Sequence, residues 1–163
     1  VSIEFSWINQ YLAQGSYPGP PESAWKYADV LVLCAEEHQP RVKVPKGKKV
    51  LRFPIDDDIY RPIPPPVAEY AHQLAAELAK YIRAGKKVLV TCAQGVNRSG
   101  LISALTLMHA YGMTGRRAID LLRSKRKPHG GLYVLCNPIF EAYVISTRPT
   151  HSTLQGKAAW AGQ

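Results

Sequence analysis

The segments "ADVLVLC" (residues 28–34) and "KVLVTC" (residues 87–92) are continuous apolar runs rich in β-branched residues. A strand with one wet face alternates apolar and polar side chains; these runs do not, so both of their faces must be covered. "KKVLRFPI" (residues 48–55) is a third candidate strand. Between the second and third runs lies "PPVAEYAHQLAAELAKYIRAG", whose Val67, Tyr70, Ala71, Leu74, Leu78, Tyr81 and Ile82 recur at helical spacing. Pro66 suits the first turn of that helix and Gly85 its C-terminal stop. Strands buried on both faces and joined through helices predict an α/β fold, with a central, mostly parallel sheet flanked by helices.

Downstream, a helix is expected from about Arg98 to Tyr111, ending before Gly112. Thr114 is placed to cap a second, with Ala118, Ile119, Leu121 and Leu122 as its buried face. A last helix is expected from Pro138, carrying Ile139, Phe140, Tyr143 and Val144. The polar, aperiodic end predicts a flexible tail over residues 147–163 after a single domain over residues 1–146. "RPIPPP" (residues 61–66) matches a PxxP ligand but reads better as a stiff linker into the following helix. Three cysteines do not make a disulfide framework in a chain this long, and no signal-like segment opens the sequence. No apolar run is long enough to span a bilayer. A cytoplasmic protein without membrane association is the expectation.

In "VLVTCAQGVNRSGLI", residues 88–102, the strand ends at Cys92 and the helix begins near Arg98, with a short aperiodic loop between. A strand passing through such a loop into a helix N-terminus turns backbone N–H groups toward one point and adds positive potential there. A thiol at that point is favoured as thiolate. Arg98 is spaced to hold two phosphate oxygens in its planar fork, and Ser99 to donate its hydroxyl to the sulfur. Cys92 is therefore a candidate nucleophile aimed at phosphorus, in a cradle of Ala93, Gln94, Gly95, Val96, Asn97 and Arg98. A small buried cysteine closing a strand is the structural alternative. Asn97-Arg98-Ser99 also spells a glycosylation sequon, set aside because it lies inside this loop. A proton donor is needed as well, and Asp56, Asp57 and Asp58 stand just past a strand end, where a loop can overhang the cradle. The residues alone leave the choice among the three open.

"CAQGVNRSG" resembles the signature loop of the cysteine-based protein tyrosine phosphatases, and its surroundings resemble the dual-specificity subclass. "INQYLAQGSYP", "DVLVLCAEE", "FPIDDD" and "RKPHGGLYVLCNPIFEAYV" are similar to that subclass's opening strand, second strand, acid-bearing segment and closing stretch. The resemblance implies Asp57 as general acid, with Asp58 next and Asp56 third. It also implies a phosphocysteine intermediate on Cys92, and neither metal nor cofactor. One position departs from the pattern: Thr91 stands where the family usually has a histidine before the nucleophile. The five histidines (38, 72, 109, 129 and 151) show no metal-ligand spacing.

The implied function is hydrolysis of phosphotyrosine and of phosphoserine or phosphothreonine in protein substrates, at a shallow site, because short connections leave little chain to build a deep cleft. A net charge of +9 predicts a preference for acidic peptides. It also suits the alternative, an RNA 5′-triphosphatase of the cysteine type, the one reading in which nucleic acid is a partner. A phosphoinositide phosphatase fits less well, because the loop holds no lysine, and a non-catalytic phosphate-binding module stands third. Cys34 ends a neighbouring strand; the expectation is two buried cysteines held apart, with a protective disulfide to Cys92 on oxidation as the alternative.

Overall fold

A computed structural model of the chain describes residues 3–126 and 133–148. The strands are β1 (Phe5–Trp7), β2 (Leu12–Gly15), β3 (Val30–Ala35), β4 (Lys49–Ile55) and β5 (Val88–Thr91); the helices are α1 (Pro65–Arg83), α2 (Arg98–Tyr111), α3 (Gly115–Lys125) and α4 (Pro138–Ser146). A short 3-10 helix, Pro21–Lys26, links β2 to β3. The strands form one sheet in the order β1-β2-β5-β3-β4, parallel except for β1 at the edge. This is the α/β architecture the apolar runs predict. Most of the tail, residues 149–163, and the stretch 127–132 lie outside the described residues.

The antiparallel edge strand was not anticipated, and its cause is local. Asn9 Oδ1 accepts the backbone N–H groups of Tyr11 and Leu12, both at 2.8 Å, which folds the chain back on itself. Ile8 N–H then donates to Leu12 C=O and closes the hairpin.

β3 and β5 sort their side chains by parity. Val30, Val32 and Cys34, with Val88, Val90 and Cys92, enter the larger core beside the helices. Leu31, Leu33 and Leu89 face the other way, packing with Ala13, Ala24 and Trp25. Every residue of α2 except His109 is buried, so this helix is the centre of the helical layer. Truncating one of its fully buried leucines, such as Leu105, is expected to cost roughly 2–5 kcal/mol. Tyr70, assigned by spacing to the buried stripe of α1, is instead exposed. Its ring stacks on Phe53 at 5.4 Å while its hydroxyl donates to Arg52 C=O at the surface. In the proline run, Pro64 stands before the helix with extended backbone and Pro65 opens it.

The order of strands puts β5 in the middle, between β2 and β3. The loop leaving its C-terminal end emerges at the carboxyl edge of the sheet, against the N-terminus of the most buried helix. In open α/β sheets, ligands bind at that edge.

Candidate active site

The loop from residue 92 to residue 97 is fixed by what its carbonyls accept. Ala93 C=O accepts from Tyr17 N–H, Val96 C=O from Leu135 N–H and Asn97 C=O from Leu101 N–H. Gly95 C=O accepts from the Gln14 side-chain amide at 3.0 Å. Carbonyls committed outward turn the amides inward. Among the described residues, no backbone N–H from 93 to 98 meets a protein acceptor. Several convergent, unpaired amides at a helix N-terminus favour an anion.

Gly95 is required by this path. Its φ is +68°, and a Cβ there would lie 2.6 Å from the Gly15 carbonyl carbon and 2.7 Å from Arg126 Nη2. Arg126 is completely buried behind the loop; it donates to Gln14 C=O at 2.6 Å and pairs with Glu4 at 3.0 Å. The cradle therefore has a fixed guanidinium at its back.

Cys92 is buried at the floor, with Sγ 3.2 Å from Ser99 Oγ. Gln14 Nε2 donates to that same hydroxyl oxygen at 3.2 Å. Because the amide occupies the oxygen as an acceptor, the hydroxyl proton is left to point at sulfur when the thiol is ionised. Gln14 thus orients both the loop and the serine, from a strand far away in sequence. Thr91 does not turn into the loop: its hydroxyl donates to Val32 C=O at 2.8 Å, tying β5 to β3. Cys34, on β3, is buried, and burial pushes its thiol well up, with the nearby Cys92 adding to the rise. It is a free thiol in this structure.

Arg98 is held by Glu37, whose carboxylate accepts from both terminal nitrogens, the Nη2 contact at 2.7 Å. Nη1 also donates to Ile55 C=O. Arg98 Nε is buried with no partner among the described residues. One edge of the guanidinium is therefore clamped while a donor on the other is unspent. The Arg98 hydrogen bonds bring Glu37 down to about 2, and Glu37 in turn keeps the guanidinium charged.

The three aspartates divide between two roles. Asp57 lines the cavity of about 240 Å³ that also exposes Glu37, Cys92, Ala93, Gln94, Val96, Asn97 and Arg98. Its Oδ2 accepts from Asn97 Nδ2 at 3.0 Å and its Oδ1 from Asn137 Nδ2 at 2.7 Å. Asp56 accepts Asp57 N–H, and Asp58 accepts Tyr60 and Arg61 N–H groups; both shape the loop, and both face a neighbouring groove. Asn137 carries the assembly. It is buried, caps α4 by accepting from Ile139 and Phe140 N–H, donates to Asp57, and donates its own backbone N–H to Asn97 Oδ1.

Gln14, Glu37 and Asn137 escaped the sequence reading as site residues. The signal for Glu37 was a pair of acids directly after an apolar strand; for Asn137 it was an Asn-Pro helix start. Nothing local marked Gln14. Of the histidines, His38 lies with its ring tilted against Tyr17, 4.5 Å between centroids, and His72 and His109 meet at 3.0 Å between α1 and α2, where burial lowers both. His129 and His151 lie outside the described residues. Among the described residues no group of three or more His, Cys, Asp or Glu is arranged to hold a metal. Among them, too, no helix is long and apolar enough to cross a membrane.

A family model for the dual specificity phosphatase catalytic domain matches residues 21–131, more than half of the chain. No curated protein sequence matches significantly. Among solved structures, human DUSP28 is 23% identical, with a TM-score of 0.64 over 88% of this chain and 97% of its own. A mouse dual specificity phosphatase complexed with zinc tungstate is 23% identical, with a TM-score of 0.65 over 88% and 89%. OH1 from Orf virus, a tyrosine phosphatase, is 22% identical, with a TM-score of 0.63 over 89% and 87%. At such identities these structures establish a shared fold.

Proposed function

The chain belongs to the dual specificity phosphatase catalytic-domain family, and from that premise we propose that it hydrolyses phosphotyrosine and phosphoserine or phosphothreonine in proteins through a phosphocysteine intermediate. The observation that carries this reading is the meeting, in one cavity, of Cys92, Arg98 and Asp57 around a loop of unpaired amides.

In the first step the Cys92 thiolate attacks phosphorus in line. A sulfur–phosphorus bond forms as the ester bond breaks, and Asp57 gives its proton to the departing oxygen. Asn97 and Asn137 hold that carboxyl group over the cradle by one amide each. The equatorial oxygens accept from the loop amides and from Arg98, whose unspent Nε is available to them. In the second step water attacks the phosphocysteine, Asp57 takes its proton, and sulfur leaves as thiolate with the Ser99 hydroxyl donating to it. Inorganic phosphate is the product. Gln14 is a positioning residue that keeps Ser99 in the donating orientation.

Among the described residues the cavity is lined by the loop, Glu37 and Asp57 alone, with no further segment raising its walls, which supports acceptance of both short and long phosphorylated side chains. The Asp57 carboxyl held over the cradle supports the protein-phosphatase reading over the RNA 5′-triphosphatase alternative, because the oxygen leaving a phosphoprotein needs a proton whereas a diphosphate leaving group is already a good one. The deciding assay compares phosphotyrosine peptide, phosphothreonine peptide, phosphoinositide and triphosphate-ended RNA with one enzyme preparation. Turnover of both peptides is expected; turnover confined to RNA or to phosphoinositide would overturn the reading.

A further inference from the structure

Five of the twelve acidic residues in a chain of net charge +9 gather at one edge of the sheet: Glu36, Glu37, Asp56, Asp57 and Asp58. Four of the seven acids elsewhere are engaged by cations: Asp29 by Lys48, Glu77 by Lys49, Glu141 by Arg123 and Glu4 by Arg126. Glu37 is spent on Arg98 and Asp57 on the two asparagines. Glu36 and Asp56 are exposed and have no Lys or Arg partner among the described residues.

These two, with Asp58, rim a second cavity of about 330 Å³. Its walls are apolar: Pro54 and Ile55 from β4, Ile63 from the proline-rich linker, Val67 from α1 and Phe140 from α4. Arg61 is the single cation on it, 87% exposed and 3.6 Å from Asp58, so that solvent already screens the pair. The acid loop is the ridge between the two cavities: Asp57 faces one, and Asp56 and Asp58 face the other. The two cavities share this ridge of consecutive residues, so an extended peptide anchored in the cradle, advancing ~3.3 Å per residue, can continue across it into the second.

We propose that this groove is a substrate subsite that takes a hydrophobic side chain close to the phosphorylated residue, and that its carboxylate rim selects for Lys or Arg beside it. The occupant is a basic, partly apolar phosphopeptide. The proposal rests on the phosphatase reading and reverses the preference for acidic peptides that net charge predicts, because charges beyond about one Debye length (~8 Å at physiological salt) are screened and the local carboxylates decide.

The test is kcat/KM on phosphotyrosine peptides that differ in their flanks alone: leucine and arginine, alanines, or glutamates, with a small aryl phosphate as a flank-free control. The leucine–arginine peptide is expected to exceed the glutamate peptide by about tenfold or more at low salt, the electrostatic part shrinking as salt rises. Glu36→Lys should erase or invert the charge preference, and Val67→Trp, which fills the groove, should remove the leucine advantage. Both variants should turn over the aryl phosphate as the parent does, which also shows that they fold. Equal rates on all three peptides, a preference for the glutamate peptide, or a basic preference indifferent to the rim variant would each overturn the groove assignment while leaving the phosphatase reading intact. Loss of turnover on every peptide and on the aryl phosphate in the parent protein would instead remove the phosphatase reading itself.

Discussion

The floor of the cradle and its wall are built in opposite ways. The floor is one continuous segment, from Val88 on β5 through Cys92 and Gly95 to Ser99 on α2. The wall brings together Glu37 from the end of β3, Asp57 from beyond β4 and Asn137 from the start of α4, and fastens them to Arg98 and Asn97. Local backbone geometry dictates the floor, so its chemistry is written in residue spacing. The wall exists only once three distant segments have packed. The floor is accordingly expected to supply the reaction itself, and the wall to supply the proton and to set which substrates are served.

The largest effect should come from the floor. Cys92→Ser is expected to abolish turnover of every phosphoester while retaining phosphate binding, because the loop amides and Arg98 remain; loss of binding by isothermal titration would mean that the thiolate also shapes the cradle. Next comes the wall's proton donor. Asp57→Ala should lower kcat on phosphopeptides by about 10²- to 10⁴-fold, and far less on an aryl phosphate with a good leaving group. If Asp58→Ala gives that pattern and Asp57→Ala does not, the wall has been assigned to the wrong carboxylate.

The contrast between floor and wall is also the contrast between what the sequence tells and what it hides. The strands read as doubly buried, the helix starting at Arg98 and the cap at Thr114 are all found in the structure, since each depends on neighbours along the chain. The edge hairpin depends on one asparagine, Asn9, bonding to its own backbone, a signal too short to separate from an ordinary loop. The same limit hides Gln14. Its amide reaches Gly95 C=O and Ser99 Oγ only because β2 lies beside β5. Composition carries no positional signal either: a net charge of +9 averages over a chain in which five of the twelve acids stand at one edge of the sheet.

Asn137 tests how tightly the wall is joined. Asn137→Ala removes the cap of α4 and the Asp57 contact together, and should cost about 1 kcal/mol of stability by losing the cap, with kcat on phosphopeptides falling about tenfold or more. Asn137→Asp keeps a capping oxygen but offers no N–H to Asp57, so stability should recover in thermal unfolding while the kcat defect persists. Recovery of both would reduce Asn137 to a helix cap.

The smallest effect is expected at Glu37. Glu37→Gln keeps the shape but removes the negative charge that holds Arg98, and should raise KM for phosphopeptides a few-fold with little change in kcat. The ion pair has a defined pH window. The Glu37 carboxyl titrates at about 2 when folded, against 4.5 for an ordinary glutamate. Its contribution is thus complete above about 4.5 and fades as pH falls toward 2, and Glu37→Gln should flatten the stability curve in that interval. An unchanged acid limb in urea unfolding would show that solvent screening leaves the pair without net worth.

The central claim, that Cys92 carries the phosphoryl group while Asp57 waits in the wall to release it, is most directly tested by rapid acid quench of enzyme mixed with radiolabelled phosphopeptide. Label is expected on the protein within the first turnover, mapping to the peptide that contains Cys92. That label should accumulate further in Asp57→Ala with an aryl phosphate, where formation needs no acid but breakdown still needs the base, and should be absent in Cys92→Ser. Phosphate released in the first turnover with no protein-bound label at any time, together with surviving turnover in Cys92→Ser, would contradict it.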